Sequence, residues 1–357
     1  MHKKLAVLAG DGIGPEIVRE AQKVLDAVAK RFRHTFSYEE AVVGAAAIDA
    51  TGNPFPPETL TICLNADAIL FGAIGHPRYD NDPKAKVRPE QGLLAMRKAL
   101  GLYANIRPVK AYDSLIDASP LKKEIIQGVD FVVMRELIGG IYFGEPRGRT
   151  EQGDKAFDTC VYDREGILRI TKWAFDYAYQ RRKKVTLVDK ANVLATSRLW
   201  REVVTEYAAQ HPDIEFDCMF IDNAAMQLIR DPKYFDVVLT GNMFGDILSD
   251  EGSVITGSLG TLPSASIGEK TSVYEPIHGS FPQATGKNIA NPIATILSAA
   301  MMLELEFEMI EEGKAIRVAV EKSIADGITT PDIKDGHHGT DAVGSYIADA
   351  LLMAETV

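Results

Sequence analysis

Short β-type runs alternate with helical runs along most of this chain, and this alternation is the feature that most restricts its fold. The β-type runs cover residues 4–9, 68–73, 102–106, 130–134, 185–188, 216–221 and 236–240. The clearest helical patterns cover residues 15–31, 92–100, 167–182, 196–210 and 293–309. This order predicts an α/β fold on a largely parallel sheet, with residues 144–163 forming an arm or an extra hairpin.

Composition excludes several classes of protein. The 357 residues include 39 Lys and Arg against 50 Asp and Glu, a net charge of −11, and 46% of them are hydrophobic. At about 100–200 residues per domain, this length predicts two or three domains or one large α/β unit. The acidic balance argues against nucleic-acid and anionic-membrane partners, which favour a positive surface.

The sequence also predicts a cytoplasmic location. The first apolar run, residues 5–9, is too short for a secretory signal, and the longest, residues 293–303, is too short for a membrane span. Cys63, Cys160 and Cys218 are odd in number and match neither a disulfide framework nor a zinc pattern. We therefore expect three buried thiols in a reducing compartment.

Charged residues follow several of the predicted strands. They are Arg107, Arg135, Lys190, Asp222 and, a few residues beyond its strand, Asp246. Open α/β sheets bind their ligands just outside the carboxyl ends of the strands. Any one of these residues could be a solvated turn residue, but five together predict a ligand site.

Asp246 and Asp250 are four residues apart, so on a helix both carboxylates would share one face. Together with Asp222 they form an all-oxygen set without nearby His or Cys, which suits Mg²⁺ or Mn²⁺ better than zinc. The alternative is an acidic first turn that complements the helix dipole.

Three arginines form the basic counterpart: Arg97, Arg107 and Arg135. Because a guanidinium pairs with a carboxylate through two hydrogen bonds, this set predicts a small dicarboxylate substrate, with separate surface salt bridges as the alternative. Near a cation and arginines, the pKa of Lys190 should fall, which would make its amine a base. The phenol of Tyr142, flanked by glycines, could donate a proton or serve in packing.

Two segments are rich in glycine. Residues 10–16, GDGIGPE, follow the first strand but do not match GxGxxG, so a tight turn between strand and helix is favoured over a dinucleotide fingerprint. Residues 275–292 form a long Gly/Pro/Asn loop before a helix, and loops of that length are usually functional.

Taken together, these segments resemble the β-decarboxylating dehydrogenases, the isocitrate/isopropylmalate dehydrogenase family, and most closely its isopropylmalate branch. The resemblance covers nearly the whole chain. Its motifs are GDGIGPE (10–16), RPEQGLLAMRKALGLYANIRP (88–108), MRELIGGIYFGEPRG (134–148), VDKANVL (188–194), FID (220–222), NMFGDILSDEGSVITGSLGTLPSAS (242–266) and the loop from EPIHGS to GKNIANP (275–292).

The resemblance implies a two-domain fold with a large mixed sheet that is not a classical Rossmann fold. The first domain would be discontinuous, residues 1–104 and 258–357, and would carry most cofactor loops; residues 105–257 would form the second. A homodimer with shared active sites is expected, because Lys190 and Asp222 come from the partner subunit in this family.

The resemblance also implies residue roles. The three arginines would bind the substrate carboxylates, Lys190 would accept the hydroxyl proton, and Tyr142 would protonate the enolate. Asp222, Asp246 and Asp250 would hold the divalent metal, and Asp222 would also contact the substrate. Residues matching the family's NAD site are Gly75, Glu90, His278, Gly279, Ser280, Pro282, Gln283, Gly286, Asn288, Ile289 and Asn291.

Substrate choice is expected to depend on the helix that carries Arg97. Glu90, Leu93 and Leu94 match the isopropylmalate branch, whose leucines receive the isopropyl group, whereas isocitrate enzymes have a polar residue there. The implied reaction is metal-dependent oxidation of (2R,3S)-3-isopropylmalate by NAD with β-decarboxylation to 4-methyl-2-oxopentanoate, in leucine biosynthesis. A D-malate- or tartrate-type decarboxylating dehydrogenase of the same family is the alternative.

Gln283 departs from the family pattern. NAD-dependent members usually have an acidic residue there, and NADP-dependent isocitrate enzymes use Lys-Tyr at 283–284. Glutamine can still hydrogen-bond the ribose, and no arginine or lysine is positioned for a 2′-phosphate, so NAD is expected with weaker discrimination. Outside this family, a phosphotransferase would need a Walker-type lysine after the glycines, where Ile17 and Val18 stand, and a non-catalytic binding protein would leave Lys190 without a purpose.

Overall fold

The computed structural model describes residues 1–81 and 85–353. The chain divides into two compact units, Met1–Leu102 with Gly257–Val357, and Tyr103–Thr256. The sequence-based domain bounds lie one or two residues from these.

The strands are β1 (His2–Gly10), β2 (Thr35–Glu40), β3 (Ala68–Ala73), β4 (Leu102–Lys110), β5 (Asp130–Glu136), β6 (Gly148–Arg149), β7 (Ala156–Phe157), β8 (Lys184–Asp189), β9 (Glu215–Phe220), β10 (Val237–Thr240), β11 (Pro263–Gly268) and β12 (Val273–Pro276). The helices are α1 (Gly14–Phe32), α2 (Gly44–Thr51), α3 (Pro57–Leu64), α4 (Pro77–Asp80), α5 (Pro89–Leu100), α6 (Lys123–Ile126), α7 (Arg164–Tyr179), α8 (Ala195–Ala208), α9 (Ile221–Arg230), α10 (Asn242–Thr256), α11 (Ile293–Leu305), α12 (Ile310–Ala325) and α13 (Thr340–Met353).

In the first unit the strand order is β2-β1-β3-β12-β11. All neighbours are parallel except β11 and β12, which are antiparallel. Helix α11 is buried from Ile293 to Leu303 and packs against β11, β12, α1 and α12. This longest apolar stretch of the sequence is therefore a core helix, because a helix that is apolar all round requires burial on every face.

In the second unit the order is β4-β5-β10-β8-β9. Here β4 is antiparallel to β5, and the other neighbours are parallel. Phe131, Phe235 and Leu248 belong to a core beneath these strands. The carboxyl ends of β5, β10, β8 and β9 therefore lie along one edge of the sheet, as the ligand-site argument requires.

Several sequence-based assignments need correction. Strand β4 continues to Lys110, so Arg107 lies within it and does not follow its end. The charge of Arg107 ends the apolar run in the sequence, but Asn105 and Ser249 pair with its guanidinium and allow the strand to continue buried. Arg135 is likewise the penultimate residue of β5, and Asp222 lies in the first turn of α9.

The remaining differences concern ends and exposure. Helices α7 and α11 end at Tyr179 and Leu305, before the predicted 182 and 309. The predicted hairpin within 144–163 is confirmed by the antiparallel pair β6 and β7. Cys63 is buried, but the prediction was wrong for Cys160 and Cys218, which are exposed beside the hairpin and on the outermost strand β9. Among the described residues, no helix has both the length and the apolar character to cross a bilayer.

Candidate active site

Helix α10 brings two carboxylates to one guanidinium. Oδ1 of Asp246 lies 3.6 Å and Oδ1 of Asp250 lies 3.7 Å from Nη1 of Arg107. The predicted i, i+4 arrangement on a helical face is therefore confirmed, and the cation between the carboxylates offsets their repulsion. Gly245 permits this approach, because a Cβ there would lie 2.7 Å from the Cβ of Arg135.

Arg135 is the second arginine of this cluster, and only 2% of it is exposed. Its Nε and Nη2 donate to Oδ1 of Asn242 at 3.1 and 2.9 Å, and its Nη1 pairs with Asp246. A buried charge needs such partners, since an unpaired one would be strongly destabilising.

Tyr142 lies at the same carboxylate. Its hydroxyl donates to Oδ2 of Asp246 at 3.0 Å, and the guanidinium of Arg135 lies 5.8 Å from its ring centroid. The second unit thus gathers two arginines, two carboxylates and a phenol from β4, β5, the loop after β5, and α10.

Lys190 and Asp222 form a separate ion pair. The ammonium donates to Oδ1 of Asp222 at 2.7 Å, and this hydrogen bond lowers the pKa of that carboxyl. Within residues 1–81 and 85–353 of a single chain, no three His, Cys, Asp or Glu side chains form a group suited to a metal ion. One chain therefore brings Asp246 and Asp250 together, but not Asp222 with them.

In the first unit, α5 carries the other predicted substrate residues on successive turns. Glu90 lies in its first turn, Leu93 and Leu94 are half-buried, and Arg97 is buried near its end. The spacing of three and four residues places Glu90, Leu93, Leu94 and Arg97 along one side of the helix. Oε1 of Glu90 would lie 3.1 Å from a Cβ at Gly75.

A buried carboxylate that sequence reasoning missed organises the neighbouring loop. Asp11 accepts hydrogen bonds from the backbone N–H groups of Ala45, Ala46 and Gly75, at 2.9, 3.0 and 3.0 Å. It thereby joins the GDGIGPE turn to the start of α2 and to the loop after β3. The favoured interpretation of this segment as a tight strand-to-helix turn is confirmed.

The same turn contacts the long loop at residues 275–292. The backbone N–H of Ile13 donates to the carbonyl of Ser280 at 2.9 Å. Gly12 has a φ of +60°, and a Cβ there would lie 2.0 Å from that carbonyl oxygen. Both the left-handed backbone and this close approach require glycine.

A cavity of about 470 Å³ opens beside this contact. Its lining includes the predicted residues His278, Gly279, Ile289 and Asn291 and, in addition, Ile13, Ser258, Leu259, Gly260, Phe281, Ala290 and Asp332. Burial lowers the pKa of His278, which favours the neutral imidazole. The cavity combines an apolar lining with a few polar groups, as small-molecule sites do.

Asp332 is the cavity residue that no sequence signal indicated. Its Oδ2 accepts from Nδ2 of Asn291 at 2.9 Å and from the hydroxyl of Ser258. The other predicted loop residues lie outside the lining: Gln283 is exposed, Gly286 donates to Glu16, and Asn288 donates to Asp341. Pro282 begins a short 3₁₀ helix that follows Phe281.

Comparison with known proteins identifies the class. The family model "Isocitrate/isopropylmalate dehydrogenase" matches residues 4–347. The chain belongs to this family of decarboxylating dehydrogenases and is an oxidoreductase, which confirms the resemblance and the fold class.

Its relatives are more specific. A 3-isopropylmalate dehydrogenase of Bacteroides fragilis is 57% identical over 357 residues, covering 99% of this chain and 100% of the relative. That of Sulfurimonas denitrificans is 56% identical, covering 97% and 98%. An isocitrate dehydrogenase structure from Methylococcus capsulatus has a TM-score of 0.89 at 36% identity, covering 99% and 100%, and a β-decarboxylating dehydrogenase structure from Thermococcus kodakarensis has 0.80 at 35%, covering 98% and 96%.

Proposed function

We propose that this enzyme oxidises (2R,3S)-3-isopropylmalate with NAD and decarboxylates it to 4-methyl-2-oxopentanoate, a step of leucine biosynthesis. The observation that carries the proposal is the cluster of Arg107, Arg135, Asp246, Asp250 and Tyr142. Two buried guanidiniums suit a dicarboxylate, and the carboxylates and phenol beside them provide groups for metal binding and proton transfer. The names of the curated relatives support the same substrate.

Leu93 and Leu94 on α5 favour isopropylmalate over its relatives. Placing the third carboxylate of isocitrate against two leucines would bury an unpaired charge at a cost of several kcal/mol, so isocitrate should be rejected. D-malate lacks the isopropyl group, and each missing methylene costs only about 1–3 kcal/mol, so D-malate should be slow but accepted. A D-malate- or tartrate-type enzyme is therefore the alternative.

The acidic residues fit a divalent ion. Asp246 and Asp250 offer oxygens on one face of α10, with side chains 35% and 68% exposed, and Asp222 would be the third ligand. When bound, Mg²⁺ or Mn²⁺ would polarise the C2 hydroxyl and the adjacent carboxylate. Because an ion would compete with Arg107 and Arg135 for Asp246, substrate carboxylates could take over the released guanidinium donors.

The remaining steps fall to side chains of the enzyme. Arg97, Arg107 and Arg135 would orient the two carboxylates. Lys190 would accept the C2 hydroxyl proton as hydride leaves for the nicotinamide. After CO₂ departs, Tyr142 would donate its phenolic proton to the enolate carbon, and its hydrogen bond to Asp246 already holds the hydroxyl at the cluster.

The first-unit cavity fits the adenosine half of NAD. Its apolar lining can hold a base, and Asn291, Asp332 and His278 offer polar groups at its edge. Gly75, Glu90 and Ser280 lie together and would face the nicotinamide end. When bound, NAD accepts the hydride; Gln283 would hydrogen-bond the ribose hydroxyls without the charge that rejects a 2′-phosphate.

We further propose a homodimer in which Lys190 and Asp222 serve the partner's site. Helices α9 and α10 pack together and leave apolar side chains exposed. These are Met226 at 54%, Met243 at 36%, Ile247 at 56% and Val254 at 40%. Such a patch is typical of an interaction surface, and a two-fold axis there would bring both copies' α10 helices together.

Subunit complementation tests this arrangement. Lys190→Ala and Asp246→Asn should each be inactive, but after mixing and subunit exchange one site of each heterodimer would combine intact Lys190 with intact Asp246. About a quarter of wild-type activity should return, because half of the dimers would be mixed and each would have one complete site. Absence of recovery after verified exchange would place Lys190 in its own chain's site.

Product analysis tests the reaction. With 3-isopropylmalate, NAD⁺ and Mn²⁺, we expect one NADH, one CO₂ and one 4-methyl-2-oxopentanoate per turnover, and no reaction after chelation of the metal. Formation of NADH without CO₂ would contradict the decarboxylation, and turnover in excess chelator would contradict the metal.

A further inference from the structure

Asn242, the first residue of α10, is completely buried between Arg135 and the turn that follows β5. Its Oδ1 accepts both Nε and Nη2 of Arg135, at 3.1 and 2.9 Å. Its Nδ2 donates to the carbonyls of Leu137 and Gly139, both at 3.1 Å. The side-chain amide therefore uses two acceptor and two donor positions, which is its full capacity.

The turn at residues 137–140 is also held from two other sides. Glu136 accepts from the backbone N–H groups of Ile138 and Gly139, at 2.9 and 2.8 Å. The ring of Tyr162 covers its outer side, since a Cβ at Gly139 would lie 2.8 Å from that ring and one at Gly140 would lie 2.3 Å from its hydroxyl. The same hydroxyl accepts from the backbone N–H of Asn242 at 2.7 Å.

This turn leads directly to Tyr142. The carbonyl of Gly140 accepts the N–H groups of Phe143 and Gly144, at 3.3 and 3.0 Å, which closes one helical turn around the tyrosine. The position of the Tyr142 hydroxyl therefore follows from the position of Gly139 and Gly140.

We infer that Asn242 is a positioning residue, whose amide joins the substrate-binding guanidinium of Arg135 to the turn that carries the proton donor Tyr142. The inference rests on the proposed function. A proton donor must lie within hydrogen-bond reach of its acceptor, and displacements of about 1 Å can cost 100-fold in rate. By fixing Arg135 and the turn to one side chain, Asn242 sets the distance between the bound carboxylate and the phenol.

Asparagine is the residue type that these contacts require. Aspartate would keep the acceptor for Arg135 but would turn a carboxylate oxygen toward the carbonyls of Leu137 and Gly139. Alanine would remove both functions. Asn242→Asp therefore separates the two sides of the linkage: the guanidinium stays held and the turn is released.

The decisive experiment is a double-mutant cycle with Tyr142→Phe, at saturating metal and NAD⁺. Asn242→Asp alone should lower kcat at least ~10-fold while KM for substrate changes less than ~3-fold, because Arg135 keeps its partner. In the Tyr142→Phe enzyme, Asn242→Asp should cause no further loss of kcat, because the group that it positions is absent.

Two further variants complete the design. Glu136→Gln removes one acceptor from the same turn without contacting Arg135, and it should reproduce the kcat loss and the cycle. Thr240→Val is the matched control: Thr240 is completely buried at the end of β10, and its hydroxyl donates to the carbonyl of Val188 at 2.8 Å, away from the turn. It should lower stability and leave kcat unchanged.

Multiplying losses in the cycle, or unchanged kcat in both Asn242→Asp and Glu136→Gln, would overturn the inference, as would an equal kcat loss in Thr240→Val. If Asn242→Asp does not fold, the cycle with Glu136→Gln decides. Failure of the wild-type enzyme to turn over 3-isopropylmalate would refute the proposed function instead, and the cycle would then be run with D-malate.

Discussion

Gly12→Ala should weaken NAD⁺ binding by displacing the loop that contains Ser280. The added Cβ would lie 2.0 Å from the carbonyl oxygen of Ser280 and 2.8 Å from its carbon, whereas Cβ contacts under 3.0 Å essentially do not occur. The loop must therefore retreat by about 1 Å, and the hydrogen bond from Ile13 to the same carbonyl is lost with it.

The expected effect has two parts. The φ of +60° costs an alanine about 1 kcal/mol in stability, and the displaced loop should raise KM for NAD⁺ at least ~10-fold while KM for 3-isopropylmalate changes little. Gly52→Ala is the matched control, because its φ is +76° but no atom lies within 4 Å of the added Cβ. It should lose only stability.

Thermal unfolding and initial rates at varied NAD⁺ concentration measure the two parts. If Gly12→Ala leaves KM for NAD⁺ unchanged, or if Gly52→Ala raises it equally, the contact between the GDGIGPE turn and the Ser280 loop does not support cofactor binding.

Three further predictions concern single side chains. Arg135→Lys should lower kcat/KM at least ~100-fold, since one ammonium cannot replace the guanidinium's contacts with Asn242 and Asp246, each worth about 1.5–3 kcal/mol; a loss under ~3-fold in steady-state assays would contradict this. Gln283→Asp should raise the preference for NAD⁺ over NADP⁺ at least ~10-fold, because a carboxylate pairs with ribose hydroxyls and repels a 2′-phosphate, and equal preferences would refute the role of this position. Burial raises the pKa of Glu136 from 4.5 to about 7, so the native state binds a proton that the unfolded state releases, and unfolding free energy should fall as pH rises through this window; denaturant titrations of Glu136→Gln should show a flatter dependence.

The sequence alone predicted the residues of the arginine-carboxylate cluster better than their placement. Charged residues after apolar strands identified Arg135, Lys190 and Asp222, because the ends of buried parallel strands are visible as the end of an apolar run. Arg107 was found by an argument that the structure corrects: β4 is antiparallel to β5 and passes through this residue. Strand direction depends on partners far along the chain, which a single sequence does not display.

The residues that hold the site in shape were missed for the same reason. Asp11, Asn242 and Glu136 bind backbone groups, and such groups carry no sequence signal. Asn242 contacts residues 103 to 107 positions away, and Asp332 contacts Asn291 across 41 positions. Their roles follow only from the folded chain, in which a buried polar side chain requires a partner for each donor and acceptor.

Initial rates of NADH or NADPH formation test the central claim most directly. With Mg²⁺ or Mn²⁺, each nucleotide is paired with 3-isopropylmalate, D-malate and isocitrate. The account predicts the highest kcat/KM for 3-isopropylmalate with NAD⁺, slow turnover of D-malate, and essentially none of isocitrate. A higher kcat/KM for D-malate or isocitrate would contradict the role given to Leu93 and Leu94 and, with it, the proposed substrate.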